Sequence, residues 1–330
     1  MAYIPIPEHE VQTTPPFDIT EPALSNEQAF IMANTIASSK EEMKQHHVIP
    51  VFIKDNEPVI SHTDFIDVAQ EAVASIYQRE TILKPSVRLS HPIKGRIPEA
   101  KDKPAKDLLP HERTIYYERM AFVIEIATVQ ENVSGNALKL MVGGVKAYNQ
   151  DNLYSKKGTD EHFKVFVGFQ NTICTNLCVW SDGYVADLKV KDTAQLKTAI
   201  LKMLYEYDMH QQLNFLHSLD NYSLTEKQFA QLMGRCRLYQ HLSYQQKQEI
   251  PAIALSDTQL NAVAKDYYRD GSFCRDAQGN INLWRLYNLF TGANKSSYID
   301  TFLDRTVNAT TFIGSLKQAI VHKQDNWFLS

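Results

Sequence analysis

No stretch of the 330-residue chain approaches the ~18 consecutive apolar residues that a membrane-spanning helix needs, so a helical membrane protein is excluded. Cysteine is scarce. Four cysteines, and a start without a cationic then apolar leader, point away from a disulfide-built secreted domain toward free thiols in a reducing cytoplasm. Nor does one sign of charge dominate: 34 Lys and Arg against 38 Asp and Glu leave a net charge of −4, which rules out a uniformly basic nucleic-acid coat and an acidic tail. What is present in quantity is apolar and aromatic surface, 44% and 10% of residues, too much for a disordered chain.

Two further absences divide the chain. Glycine is missing before Gly95, and after Pro110 only one of the thirteen prolines remains. Pro5, Pro7, Pro15, Pro16 and Pro22 remove backbone donors from a polar stretch, so residues 1–24 read as an extended or disordered arm. Ser25 and Gln28 then have capping-box spacing for a helix carrying Phe30, Ile31, Ala33 and Ile36. Residues 47–60 read as a short edge hairpin turning at Asp55-Asn56. Residues 63–78 place Phe65, Ile66, Ala69, Ala72, Val73 and Ile76 at helical spacing.

Between Arg113 and Val190, four runs rich in β-branched and aromatic residues are separated by turns at Ser134-Gly135-Asn136, Lys157-Gly158 and Ser181-Asp182-Gly183. That spacing predicts an antiparallel meander. After Lys191 the period changes to that of helices. Caps are expected at Asp192 or Thr193, at Thr225 with Gln228, and at Ser256 with Gln259; further helices are expected over 284–290, 298–305 and 311–321. The prediction is an α+β fold, an antiparallel sheet meander in the middle of the chain followed by a largely helical C-terminal half. In domain terms this means an α+β unit over 25–190 with a helical region, 191–330, packed on it, or the two as one continuous domain.

Several groups of residues have the makings of a site. Residues 84–106 hold seven Lys and Arg against two acids, a local charge of +5 that leaves −9 on the rest of the chain. Arg88, His91, Lys94 and Arg96 can offer donors to phosphate, and the even spacing of the three cations puts them on one face of an extended chain. A solvated, proline-punctuated linker has the same composition. Tyr116 and Phe166 are candidate stacking platforms for bases, although aromatics in such runs also build sheet cores. Cys174 and Cys178 lack two further zinc ligands and read as buried thiols. Asn171, Asn176 and Asp182 make the same segment unusually polar, as a site would. Lys295 precedes a helix for which Ser297 is the expected cap, in a stretch that fails the phosphate-loop pattern. Zincin, nucleophile-elbow and deaminase patterns are absent, and no metal or cofactor is expected.

In QNTICTNLCVWSDG (170–183), NLWRLYNLFTGANKSSYID (282–300) and RLSHPIKGRIPEA (88–100), the chain resembles an uncharacterised bacterial family, the DUF3871 domains of gut anaerobes and mobile elements. More remotely it is similar to the phage- and plasmid-related DUF932 family, through Asn171, Cys174 and Asn176 and through Trp284, Tyr287, Asn288 and Thr291. The resemblance implies mobile DNA in a bacterial cytoplasm and carries over no catalytic residue. The leading expectation is therefore a non-enzymatic protein that binds single-stranded nucleic acid or phosphate backbone. The alternatives are a protein-interaction or counter-defence factor docking a host or element-encoded protein, and an enzyme with a polar site near Asn171, Asn176 and Asp182. No membrane association is expected.

Overall fold

The computed structural model describes residues 29–46, 60–152 and 160–330. The expected N-terminal arm, the Ser25–Gln28 capping box, the hairpin through Val59 and the Lys157-Gly158 turn lie outside them. The described chain opens with β1 (Ile36–Ser38), α1 (Lys40–His46) and α2 (His62–Ile76). There follow β2 (Ser86–Leu89), β3 (Pro92–Arg96), β4 (Arg113–Tyr117), β5 (Arg119–Val133), β6 (Asn136–Ala147), α3 (Tyr148–Asn152), β7 (Glu161–Asn171), β8 (Leu177–Cys178) and β9 (Tyr184–Val190). The C-terminal part comprises α4 (Thr193–Glu206), α5 (Met209–Ser218), β10 (Ser223–Leu224), α6 (Glu226–Tyr239), α7 (Tyr244–Gln248), α8 (Asp257–Arg269), β11 (Ile281–Asn282), α9 (Leu283–Asn294) and α10 (Ile299–His322). This is the expected α+β fold, with its meander in the middle and helices after it. Among the described residues no helix is long and apolar enough to cross a membrane.

The main sheet runs β1-β2-β5-β6-β7-β8, all antiparallel, with β9 also paired to β7. Both of its faces are buried. Phe122, Ile124, Val142, Phe163 and Val165 face the core that contains Phe65, Ile66 and Val73 of α2 and Leu196 and Ile200 of α4. Ala121, Val123, Met141, Val145 and Phe166 face Phe30, Ile31 and the start of α10 at Ile299, Phe302 and Leu303. This alternation explains the near-continuous apolar runs of β5 to β7, and each fully buried large side chain contributes about 1.5–3 kcal/mol. Gly143 and Gly144 thin the central strand on opposite faces. A Cβ at Gly144 would lie 2.4 Å from the Phe65 ring, and one at Gly143 would lie 2.9 Å from the Phe166 ring.

Three expectations are corrected. Residues 29–36 do not form a helix. Asn34 has a φ of 31°, and the N–H groups of Met32 and Ala33 donate to Lys295 O (2.9 and 3.2 Å) instead of to a preceding turn, so the chain runs irregularly into β1. The run after Arg113 breaks at Glu118, because β4 leaves the main sheet to pair with β3. The helices expected at 298–305 and 311–321 are one helix, α10. The weak helix formers between them are held in place: Thr306 Oγ1 donates to Phe302 O (2.9 Å), Thr310 Oγ1 to Val179 O (2.8 Å), and Asn308 bridges Ala252 and Ala254. By contrast, the capping boxes at Thr225 and Ser256 and the Asp192 cap form as expected.

Candidate nucleic-acid interface

The basic strip falls on β2, β3 and the turns after them. β2 pairs with β5 from Ser86↔Val123 to Leu89↔Met120, and β3 pairs with β4 from Pro92↔Tyr117 to Arg96↔Arg113. Between the two ladders Ser90 N donates to Arg119 O (2.9 Å) and Arg119 N to Ser90 Oγ (3.1 Å). The two pairings are thus halves of one long hairpin whose outer half, β3–β4, forms a separate two-stranded ribbon.

Directly opposed residues of an antiparallel pair share a face. Lys94, Arg96, Arg113, Ile115, Pro92 and Tyr117 accordingly occupy one face of the ribbon, and Ile93, Gly95, Thr114 and Tyr116 the other. Lys94 and Arg113 are exposed and Arg96 is half-buried. Among the described residues, no carboxylate lies within ion-pair distance of these three cations. Arg113 is a contributor that sequence reading missed. Its place opposite Arg96 follows only from a register across sixteen intervening residues.

Beyond the ribbon, short turns at Pro98–Ala100, Ala105–Asp107 and Pro110–Glu112 form a knuckle around buried Ala100 and Leu108. Its three cations, Lys101, Lys103 and Lys106, are outnumbered by Glu99, Asp102, Asp107 and Glu112, a local charge of −1, so the excess positive charge belongs to the ribbon. Glu112 ties the knuckle: its carboxylate accepts from Lys103 Nζ and from Leu109 N (2.9 Å), while Arg96 donates to Lys103 O and Arg113 to Leu108 O (3.1 Å). Those bonds, Lys103's first, hold the Glu112 carboxyl below its ordinary value of 4.5. A depressed folded-state value stabilises above the ordinary carboxylate range, and the contribution disappears as pH falls through the depressed value. The methyl resonances of Ala100 and Leu108 are therefore expected to hold steady through pH 4.5 and to shift only in stronger acid. A midpoint at or above the ordinary value would remove Glu112 from this role.

The other candidates are distributed as follows. Arg88 is buried, and its guanidinium donates from Nε and from one terminal nitrogen to Thr35 (2.9–3.0 Å). His91 is exposed and donates to Asn34 Oδ1 (2.8 Å). Phe166 is in the core, and Tyr116, half-buried, lies on the ribbon face away from the cations. Asp182 is exposed and accepts from Asp208 N (3.3 Å).

Asn171 and Asn176 do converge, on α9. Asn171 Nδ2 donates to Asn288 Oδ1 (3.3 Å), Asn176 Nδ2 to Asn288 O (2.9 Å), and Asn288 Nδ2 to Trp284 O (2.9 Å). Lys295 donates to Cys174 O and to Thr175 Oγ1 (2.8 Å), and burial lowers its pKa. Burial likewise pushes the Cys174 thiol up to about 11, so it is neutral at physiological pH and a poor nucleophile. Ser297 is not the cap of α10. It is buried, donates to Asn294 Oδ1 (2.6 Å) and accepts from Gln259 and Arg305, while Tyr298 takes the cap position.

The polar motifs at 171–176 and 284–297 are thus two halves of a clamp between the sheet and the C-terminal helices. Among the described residues, no group of three or more His, Cys, Asp or Glu is placed to hold a metal ion. A second polar centre that sequence reading missed is Lys146 with Asp151 and Glu161, all buried. A family model described as "Domain of unknown function, B. Theta Gene description (DUF3871)" matches residues 18–329. Neither the curated proteins nor the solved structures contain a match.

Proposed function

The chain belongs to the DUF3871 family, whose description assigns no activity, and from that premise we propose that it is a nucleic-acid-associated protein that grips a phosphate backbone with the cation face of its ribbon. The observation that carries this reading is the placement of Lys94, Arg96 and Arg113 on one face of a ribbon outside the main sheet, without a neutralising carboxylate among the described residues. Unopposed cations on a chain that is otherwise acidic attract an anion to one place and repel it elsewhere. Arg88 and Lys295 are not part of this grip: Arg88 is buried on a strand of the main sheet, and Lys295 holds the turn at Cys174 and Thr175, away from the ribbon. The role is one of binding rather than turnover, in the mobile-element and cytoplasmic setting that the motifs' resemblance implies.

A labelled oligonucleotide, offered at about 50 mM salt where phosphate contacts are strong, tests it. Wild-type protein is expected to retard the probe, and K94Q/R96Q/R113Q to lose most of the binding while still melting cooperatively, with only the small loss of stability that removing the Arg96 and Arg113 bonds to Lys103 O and Leu108 O entails. Absence of binding at low salt, or full binding by the neutralised variant, overturns the reading. A partner captured from cell extract that survives nuclease and is indifferent to the three substitutions would favour a protein-docking role.

A further inference from the structure

We infer that the ribbon's partner is a B-form DNA duplex rather than a single strand, an inference that rests on the nucleic-acid reading above and narrows it. Single-strand binders lay bases on aromatic side chains beside the cations that hold the backbone. Among the described residues, no such exposed platform lies on the cation face. Phe166 is in the core, Tyr116 is on the opposite face, and Tyr117, which does share the cation face, packs against the main core and accepts from His62 Nε2 through its carbonyl (2.8 Å). Among the described residues, the exposed tyrosines, Tyr205, Tyr244, Tyr268 and Tyr298, are all on the C-terminal helical part.

The shape that remains is suited to a duplex. Two paired strands lie about 4.8 Å apart, and a two-stranded ribbon with its side chains enters a B-DNA major groove of about 12 Å. Alternate residues on a strand are roughly 6.7 Å apart, about two base-pair rises of ~3.4 Å along the duplex axis, so Lys94 and Arg96 are spaced to reach different phosphates of one strand. Arg113 lies across the ribbon from Arg96, toward the opposite wall of the groove. The ribbon needs no base contact for this, and the binding would be governed by charge and groove width. A-form RNA, with its deep and narrow major groove, excludes a ribbon of this width.

The same sequence is offered as DNA duplex, as its single strand and as RNA duplex, with binding read by anisotropy at about 50 and 200 mM salt. For three phosphate contacts the log–log salt slope on duplex DNA is expected near −2.7, roughly a 40-fold loss of affinity across that range. The single strand and the RNA duplex are expected to bind at least about tenfold more weakly at the lower salt. K94Q/R96Q/R113Q should flatten the slope on duplex DNA, and R96K/R113K should retain it. Single strand or RNA bound as tightly as duplex DNA overturns the inference and leaves the broader reading standing, whereas no binding to any of the three overturns both.

Discussion

Replacement of Lys146 by methionine is expected to cost about 3–5 kcal/mol, a large share of the stability of an ordinary domain. Lys146 Nζ lies 2.7 Å from both Asp151 Oδ2 and Glu161 Oε2, and its side chain is fully buried. The remaining carboxylate oxygens have partners: Asp151 Oδ1 accepts from His162 N (2.8 Å) and Glu161 Oε1 from Ile60 N (2.9 Å). The Phe163 ring closes the site, with its centroid 4.1 Å from Nζ. Methionine nearly preserves the volume but leaves two like charges facing each other away from water, the costliest way of breaking a buried pair. The triple replacement K146M/D151N/E161Q removes the charges together and is expected to recover much of the loss. Urea unfolding with an unchanged m-value is the measurement. A single variant within about 1 kcal/mol of wild type would show that water reaches the triad in solution.

The second large effect is expected at Asn288. Leucine there removes the acceptor for Asn171 Nδ2, leaving that buried amide unsatisfied at about 1–3 kcal/mol, and also the second donor to Trp284 O, which keeps only its helix bond. A total near 3 kcal/mol follows if the surroundings relax in part. Because Asn171 and Asn288 are partners, N171L/N288L should cost less than the two single changes combined, with a coupling of about 0.5–3 kcal/mol. Strictly additive losses would mean that the two asparagines are buried side by side without holding each other.

Helix α2 was legible from periodicity alone, since Phe65, Ala69, Ala72 and Val73 repeat at the helical period, while the capping box that Ser61 and Asp64 close over its first turn was not read from the sequence. The meander was legible from its turns. Helix α10 was not, because Thr306, Asn308 and Thr310 look like an interruption until their side chains find Phe302, Ala252 and Val179. At the candidate site, Lys94 and Arg96 were legible as alternate residues on a strand, but Arg113 became a neighbour only through pairing. Arg88 has the same spacing and chemistry as the other two and is turned inward, since it lies on a strand inside the main sheet. Lys146 carried no local signal either, because its carboxylates come from α3 and β7.

The clamp between residues 171–176 and α9 also bears on how the chain is made. Its halves are more than a hundred residues apart, and the helix that covers Met141, Val145 and Phe166 comes later still. During synthesis the meander is complete long before those partners leave the ribosome, so an apolar sheet face stays uncovered while the remaining helices are added. Closures of this length are slow and leave the nascent chain open to aggregation. Until α10 docks, Val123, Met141, Val145 and Phe166 lack the cover that Ile299, Phe302 and Leu303 give them in the finished fold.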